Sequence, residues 1–439
     1  MSDPIDEASE KMTGGDVHGA YATLRQVLDY PGGLDDRATA VRAFTVFSEI
    51  AGALGGAEFG NLVRRAATSP DDADVLNDIG YALYEQDQYG VAATLLSRAN
   101  QLRPGEAKIV LELATCLEAF GANGEAVAVL RASGLADRDP VAAYLLAFNA
   151  LMVGDRAEPP LRIPVIRKAR DETALYMADA LEAMLARASA IAQKLPLDGH
   201  ALSAWHSILN GGVLLHESPH GYDEPMRGRY AYVSDSVGLM KEGIQRLGRV
   251  LDKSGRRPTR VVSGPDRASR VLAEASAKRF DLPLLAWSGA ALEHSLVVVW
   301  DLDHVGDKKV LQALQEHQPG QVLWVHASNW VSPFPYTPDV TTLLYQTITH
   351  PFMGGALQVD PVTRETKPAE PDLRSEAELS REILSATITD PSETEISTLE
   401  EILDANRSLP PTSTLGVFRD EGPRLRQRMG SPVRSARFL

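Results

Sequence analysis

The chain has 439 residues, of which 44% are hydrophobic and 23% are charged, with 34 Gly and 27 Pro. This composition is that of a globular protein of two or three domains, and it excludes a collagen, a coiled coil and wholesale disorder. Because 59 Asp and Glu face 44 Lys and Arg, the net charge of −15 has the wrong sign for a general nucleic-acid binder.

The cysteine content and the chain start predict the compartment. The single cysteine, Cys116, lies in an apolar helical stretch, where a small buried thiol is expected and no intramolecular disulfide can form. Residues 1–7 have neither the basic nor the apolar region of a signal peptide. Apolar runs such as 296–300 are too short to span a bilayer. We therefore expect a cytoplasmic, bacterial-style protein without a membrane span.

A repeat is visible in the first part of the chain. With Ala73 as position 1, large apolar residues stand at positions 4, 7, 11 and 24, small residues at 8, 20 and 27, and Pro104 at 32. Most of these positions are matched again after a shift of 34 residues, to Ala107. Small residues allow two helices to approach closely, and Pro ends the second helix. The pattern resembles the tetratricopeptide repeat, which implies an α-solenoid over residues 1–155 with about three to four helical pairs.

The resemblance also implies a site. In tetratricopeptide proteins, positions 2, 5, 9 and 12 of the first helix line the face that binds a protein or peptide partner; here they are Asp74, Asn77, Tyr81 and Tyr84. Residues 1–155 contain 23 Asp and Glu against 11 Lys and Arg, so this region is acidic. The alternative is that Asp74 and Asn77 are merely solvated and that the tyrosines pack locally.

Residues 156–200 are predicted to join two domains. A segment rich in Pro and basic residues, 158–168, is expected to be a linker, and residues 172–194 form an amphipathic helix that we expect to bridge the domains.

Residues 201–350 alternate between short apolar runs and helical patterns. Residues 212–216 and 229–233 are interpreted as two strands in a hairpin-like arrangement, joined by the Pro- and Gly-rich turn 218–228. The later alternation of strand and helix predicts an α/β domain with a mostly parallel sheet covered by helices.

The order of elements over roughly 210–330 resembles that of the type I phosphoribosyltransferases. By position, Asp301 and Asp303 correspond to the ribose-binding acids of that family, and the turn from Ser263 to Ser269 corresponds to its pyrophosphate turn. The sequence departs from the family after Asp303, where only Gly306 retains the character of the phosphate loop. The resemblance therefore implies the fold more than the activity, and a Mg²⁺ cofactor only if the activity is retained.

Within that turn, two residues have alternative interpretations. Asp266 stands before a helix, where capping of the free amides is the preferred interpretation. Arg267 is a candidate for phosphate binding or for a surface ion pair. With Ser263, Asp301, Asp303 and Gly306, these residues form the candidate ligand site.

Residues 216–220 read His-Glu-Ser-Pro-His, which matches the H-E-x-x-H pattern of zinc proteases. That mechanism needs both histidines on one helical face, and Pro219 together with the neighbouring glycines disfavours a helix. A strand followed by a turn is the preferred interpretation, and no metal site is expected.

Residues 351–439 are predicted to be a Pro- and Glu-rich tail, partly helical or disordered, with helical candidates at 375–386 and 394–406. The last 21 residues contain six Arg and two acids. This basic end is a candidate contact for RNA, lipid or the acidic solenoid, although a solvated tail is the simpler expectation.

Together these patterns favour a scaffold or adaptor whose acidic solenoid binds a protein partner. The α/β domain is then a second, non-catalytic binding surface. The alternative is a phosphoribosyltransferase-like enzyme or a sensor of nucleotides or phosphates.

Overall fold

The computed structural model describes residues 3–220, 226–289, 292–354, 357–359, 366–409 and 418–435. The chain divides into two compact units, Met1–Leu181 and Glu182–Leu439. The first is helical, and the second contains a parallel sheet with covering helices.

The first unit is a succession of helices. They are α1 (Pro4–Thr13), α2 (Val17–Leu28), α3 (Arg37–Thr68), α4 (Ala73–Tyr84), α5 (Tyr89–Leu102), α6 (Ala107–Phe120), α7 (Asn123–Ser133), α8 (Pro140–Met152), α9 (Glu158–Arg167) and the start of α10 (Glu172–Ile191). Each of the helices α1 to α8 packs against the next.

Helices α4 and α6 begin at Ala73 and Ala107, the first positions of the two predicted repeats. Asp72 caps α4 through its side-chain carboxylate, which accepts hydrogen bonds from free backbone N–H groups of the first turn. Gly80 lies against Leu96 of α5, and a Cβ at Gly80 would be only 2.7 Å from the Leu96 Cγ. The small residue at position 8 therefore permits the close approach of α4 and α5, as the repeat pattern predicted.

Helix α3 is two helical segments joined by a sharp bend at Gly56, whose φ of 87° lies in the left-handed region that favours glycine. The two segments pack closely on each other. A Cβ at Gly60 would lie 2.7 Å from the Gly52 Cα and 3.0 Å from the Ser48 carbonyl oxygen.

The predicted linker 158–168 is largely helical, as α9. Pro159 and Pro160 stand in its first turn, where a missing N–H costs little. Glu158 is buried and accepts hydrogen bonds from Arg131 and Arg162, each at 2.6 Å. The pair with Arg131 fixes α9 to α7, whereas the pair with Arg162 lies within α9.

The second unit contains a parallel sheet with the strand order β1–β7–β6–β5–β3–β4, and β2 also pairs with β7. The strands are β1 (Val213–Leu214), β2 (Tyr230–Ser234), β3 (Arg260–Ser263), β4 (Leu284–Ala286), β5 (Ser295–Val299), β6 (Val322–Asn329) and β7 (Val340–Thr349). The short strands β8 (Leu357–Val359) and β9 (Thr366–Pro368) form a separate antiparallel pair.

The helices of this unit cover both faces of the sheet. They are α11 (Leu202–Asn210), α12 (Val237–Ser254), α13 (Arg267–Phe280), α14 (Lys308–Leu314), α15 (Glu376–Ser385) and α16 (Glu393–Arg407). Strand β5 is buried throughout: Leu296 and Val298 pack with α12 and α13, whereas Val297 and Val299 pack with α14. Burial on both faces is expected of a parallel sheet, so the predicted α/β architecture is confirmed.

The hairpin predicted for β1 and β2 is wrong. Both strands run parallel to β7: β1 pairs with Val340 and Thr341, and β2 pairs with residues 345–349. A hairpin requires antiparallel neighbours, whereas here the chain advances along β7 between the two strands. The carboxyl end of β2 consequently lies at the same edge of the sheet as the carboxyl ends of β5, β6 and β7.

The prediction of a solvated basic tail is wrong for residues 418–435. Arg424 is enclosed, with its Nη1 2.5 Å from the Asp339 Oδ1 and its Nη2 2.9 Å from the Gln321 Oε1. Arg229 donates to the Val433 carbonyl oxygen at 2.8 Å. Partners so distant along the chain leave no local signal in the tail. Residues 410–417 and 436–439 lie outside the described residues.

The two predicted tail helices are α15 and α16. Each begins with a capping box, in which Ser375 pairs with Glu378 and Ser392 pairs with Glu395. Helix α15 packs against α13, and α16 packs against α12. They are therefore part of the second unit.

Candidate functional site

The first candidate site is the face on which α4 and α6 lie side by side. These helices carry the acids Asp74, Asp78, Glu112 and Glu118 against the single cation Lys108. Lys108 and Asp78 are 3.8 Å apart and both are exposed. This contact identifies the face where first helices of neighbouring repeats meet, and the face is acidic.

Asn77 does not lie on the exposed part of this face. Its side chain is 2% exposed and lies beside Glu112, whose pKa is raised by burial and lowered in part by this amide. Position 5 of the repeat therefore packs between α4 and α6. Asp74, in contrast, is exposed and pairs with Arg103 at 2.6 Å.

The two predicted tyrosines differ in exposure. Tyr81 is 50% exposed, whereas Tyr84 is half-buried with its ring centroid 5.4 Å from that of Tyr89. Burial raises the pKa of Tyr84. Tyr81 is thus the exposed aromatic ring of this face, and Tyr84 mainly packs locally.

The second candidate site is the carboxyl edge of the parallel sheet, between β3 and β5. At this point the strand order reverses, since β4 lies on one side of β3 and β5 on the other. Ligands of open α/β sheets bind at such a point. Ser263 ends β3, and the next residue, Gly264, donates to the Val298 carbonyl oxygen of β5 at 2.8 Å. The structure therefore places the turn after Ser263 beside the residues that follow β5.

Asp301 is the centre of this edge and is 1% exposed. Its carboxylate accepts hydrogen bonds from the Tyr345 hydroxyl and from the Asp303 N–H, the latter at 2.9 Å. The Nδ1 atom of His304 lies 3.4 Å from the same carboxylate. Groups of the chain therefore surround the Asp301 carboxylate.

The pKa values of the titratable groups around Asp301 are shifted, two of them upward and one downward. Burial and the Asp301 charge raise the pKa of Asp303 to about 6. Contact with the Asp301 carboxylate raises the pKa of His304. Burial lowers the pKa of His350 to about 4. Asp303 and His304 can therefore hold or release a proton near neutral pH, whereas His350 is neutral there. A Cβ at Gly306, in the same loop, would have nothing within 4 Å.

Replacing Asp301 by asparagine is expected to lower the pKa of His304, because the variant removes a negative charge and an ionic hydrogen-bond acceptor. Two-dimensional NMR of the histidine side chains across a pH series measures this pKa. His200, which is remote from Asp301 in sequence, serves as internal reference. An unchanged His304 titration would contradict the contact.

The turn after β3 is occupied by interactions within the chain. Asp266 caps α13 by accepting from the Ser269 N–H at 2.8 Å, as its capping interpretation predicted. Arg267 donates to the carbonyl oxygens of Phe352, Asp372 and Arg374. Its guanidinium thus fixes neighbouring loops, and phosphate binding by Arg267 would require these contacts to break.

Sequence reasoning missed a buried polar cluster at the same edge. Asp235, directly after β2, accepts from the Trp300 Nε1 at 2.6 Å and lies 3.1 Å from the His326 Nε2. The Trp300 ring also contacts His304 and His350, with centroids 4.9 and 4.5 Å apart. The sequence does contain a signal for this cluster, because Asp235 directly follows the end of a predicted strand. The hairpin interpretation, however, placed the end of that strand away from the carboxyl ends of the other strands.

The H-E-x-x-H match does not form a zinc site. Both ring nitrogens of His216 have protein partners: Nδ1 lies 2.9 Å from Glu242, and Nε2 lies 2.8 Å from the Tyr230 hydroxyl. Glu217 accepts from the Ser203 N–H at 2.9 Å. Within the described ranges, no group of three or more His, Cys, Asp or Glu side chains is arranged to hold a metal ion.

None of the helices in the described part of the chain is long and apolar enough to cross a membrane.

Comparisons with known proteins show a similarity to one repeat family and to solved structures. A tetratricopeptide repeat family model matches residues 83–147. A solved structure of MamA (AMB-1) is 19% identical to this chain, with a TM-score of 0.24. The match covers 41% of this chain and 90% of the MamA chain. PilW, a widely conserved type IV pilus biogenesis factor, is 22% identical, with a TM-score of 0.24. The match covers 43% of this chain and 86% of the PilW chain. No curated protein matches. Residues 83–147 are thus similar to tetratricopeptide repeats.

Proposed function

We propose that the chain is a protein-interaction scaffold whose first unit binds a basic, extended segment of a partner on the α4 and α6 face. The second unit is proposed to supply a further binding surface. The observation that carries the proposal is Tyr81, a half-exposed aromatic ring on an acidic face of a tetratricopeptide-like unit.

The physical argument combines the ring with the charge. A tyrosine has an apolar body and a polar tip, which makes it a frequent anchor at protein interfaces. Asp78 and Asp74 precede Tyr81 on α4 by about one and two helical turns, and both are exposed. Cationic side chains of a partner can pair with these carboxylates in exchange for Arg103 and Lys108. Because the pairs are exposed, added salt is expected to weaken binding.

The test is a selection of short randomised peptides displayed on phage, with the full chain as target. Peptides rich in Lys and Arg are expected, and Tyr81→Ala is expected to weaken their affinity by about tenfold, which is about 1.4 kcal/mol. Tyr176→Ala is the matched control, because Tyr176 is 45% exposed but lies on α10. Selection of acidic or uncharged peptides, equal effects of the two variants, or no enrichment would contradict the proposal.

A further inference from the structure

A cavity of about 500 Å³, open on one side, lies in the second unit beyond the carboxyl end of β1. It is lined by residues of α11, α12 and α16 and of the segments that precede α11 and follow β1. It shares no residue with the two candidate sites above. The volume is in the range of cavities that hold small ligands, roughly 300–1,000 Å³.

Most of the cavity wall is hydrocarbon. Ala204 of α11, Leu214 and Leu215 at β1, and Leu399 of α16 contribute to it. These side chains are buried and belong to regular elements or directly follow them, so the shape of the wall is set by the fold. An apolar body is therefore the part of a ligand that this cavity accommodates best.

The charged groups of the lining have an excess of carboxylates. The carboxylates are Asp198, Glu217 and Glu395, and the guanidinium is Arg246. The imidazole of His200 also lines the cavity, with its Nδ1 3.9 Å from the Asp198 Oδ1. The Arg246 Nη2 lies 2.9 Å from Glu395 and 2.5 Å from Glu242, which lies behind it. The guanidinium is thus already neutralised by carboxylates of the chain.

Two charged groups among the described residues behind the lining offset each other. Glu242 adds one negative charge, and Arg229 adds one positive charge. Burial lowers the pKa of Arg229 to about 10, and the Glu217 charge raises it in part. Glu217 accepts two hydrogen bonds from Ser203, at 2.9 Å from its N–H and 2.5 Å from its hydroxyl. The carboxylate excess at the cavity favours a cation and disfavours an anion.

We propose that this cavity binds a small apolar amine, with its hydrocarbon body against Leu214, Leu215 and Leu399. Its ammonium group lies toward Glu217 and Asp198. The apolar wall supplies the affinity, and the carboxylates select the charge of the head group.

The test uses three probes of equal chain length, hexylamine, hexanol and hexanoate, titrated into the full chain at neutral pH by calorimetry. Hexylamine is expected to bind most tightly, hexanol more weakly, and hexanoate not measurably. Equal binding of hexanol and hexylamine, tighter binding of hexanoate, or no binding of any probe would overturn the proposal.

Two variants locate the bound amine. Thr398→Phe places a ring in the cavity and is expected to weaken hexylamine binding by at least about tenfold. Ser397→Phe is the matched control, because Ser397 is exposed on the same helix and does not line the cavity. Glu217→Gln keeps an oxygen that accepts from Ser203 but removes the charge, so it is expected to weaken hexylamine and leave hexanol unchanged. Equal effects of the two Phe variants would overturn the location.

Discussion

Replacing Arg424 by alanine is expected to lower the free energy of unfolding of the second unit by about 3–5 kcal/mol, because the variant leaves a buried carboxylate without its main partner. Asp339 is 2% exposed, and without Arg424 its nearest side-chain partner is the His317 imidazole, whose Nε2 lies 3.3 Å from the Asp339 Oδ1. Although burial alone would raise it, the adjacent Arg424 holds the pKa of Asp339 well below its usual range. All five tryptophans lie between residues 205 and 330, so tryptophan fluorescence during urea unfolding follows this unit.

Arg426→Ala is the matched control for Arg424→Ala. Arg426 lies two residues further along the same segment and is exposed, so its removal is expected to change the free energy of unfolding by less than about 0.5 kcal/mol. Equal effects of the two variants would show that charge in the tail, and not the pair with Asp339, stabilises the unit.

The second large effect is expected in the first unit. Gly60→Val is expected to cost about 2–3 kcal/mol, because the new side chain meets backbone atoms of Gly52 and Ser48 that cannot rotate away. The two segments of α3 must then separate. This unit contains no tryptophan, so the loss is measured as an earlier decrease of helical circular dichroism on heating.

Gly124→Val tests whether valine in a helix is sufficient to cause that loss. Gly124 lies in α7, and a Cβ there would have nothing within 4 Å. Valine has a higher helix propensity than glycine, so no destabilisation is expected at this position. A comparable loss in both variants would contradict the close packing at Gly60.

The helical unit was predictable because its signals are local. The spacing of small and large residues from Ala73 predicted where α4 and α6 begin, since each position depends on neighbours within about one repeat. Exposure was less predictable: Asn77 and Tyr81 are both on the expected face, yet only Tyr81 is accessible. Asn77 lies beside Glu112 of α6, and a pattern within α4 does not contain that neighbour.

The sheet edge was predictable in part. Asp301 and Asp303 follow a buried apolar strand, and the rule for parallel sheets places their side chains where ligands bind. Asp235 follows a strand in the same way, but two short strands with a Pro- and Gly-rich turn between them are equally typical of a hairpin. Strand direction is decided by pairing with β7, more than 100 residues later, and no local pattern reports it.

The basic tail illustrates the same limit of local patterns. Six arginines near a chain end are typical of a solvated segment, and the partners of Arg424 are 85 and 103 residues away. An enclosed arginine needs a buried acceptor, and Asp339 is found only when the sheet is assembled.

Hydrogen–deuterium exchange of the full chain, with and without a selected basic peptide, tests the proposed partner-binding face most directly. The account predicts slower exchange in α4 and α6, at residues 73–84 and 107–120, and loss of this protection in Tyr81→Ala. Protection confined to the second unit, or protection of α4 and α6 that survives Tyr81→Ala, would contradict it.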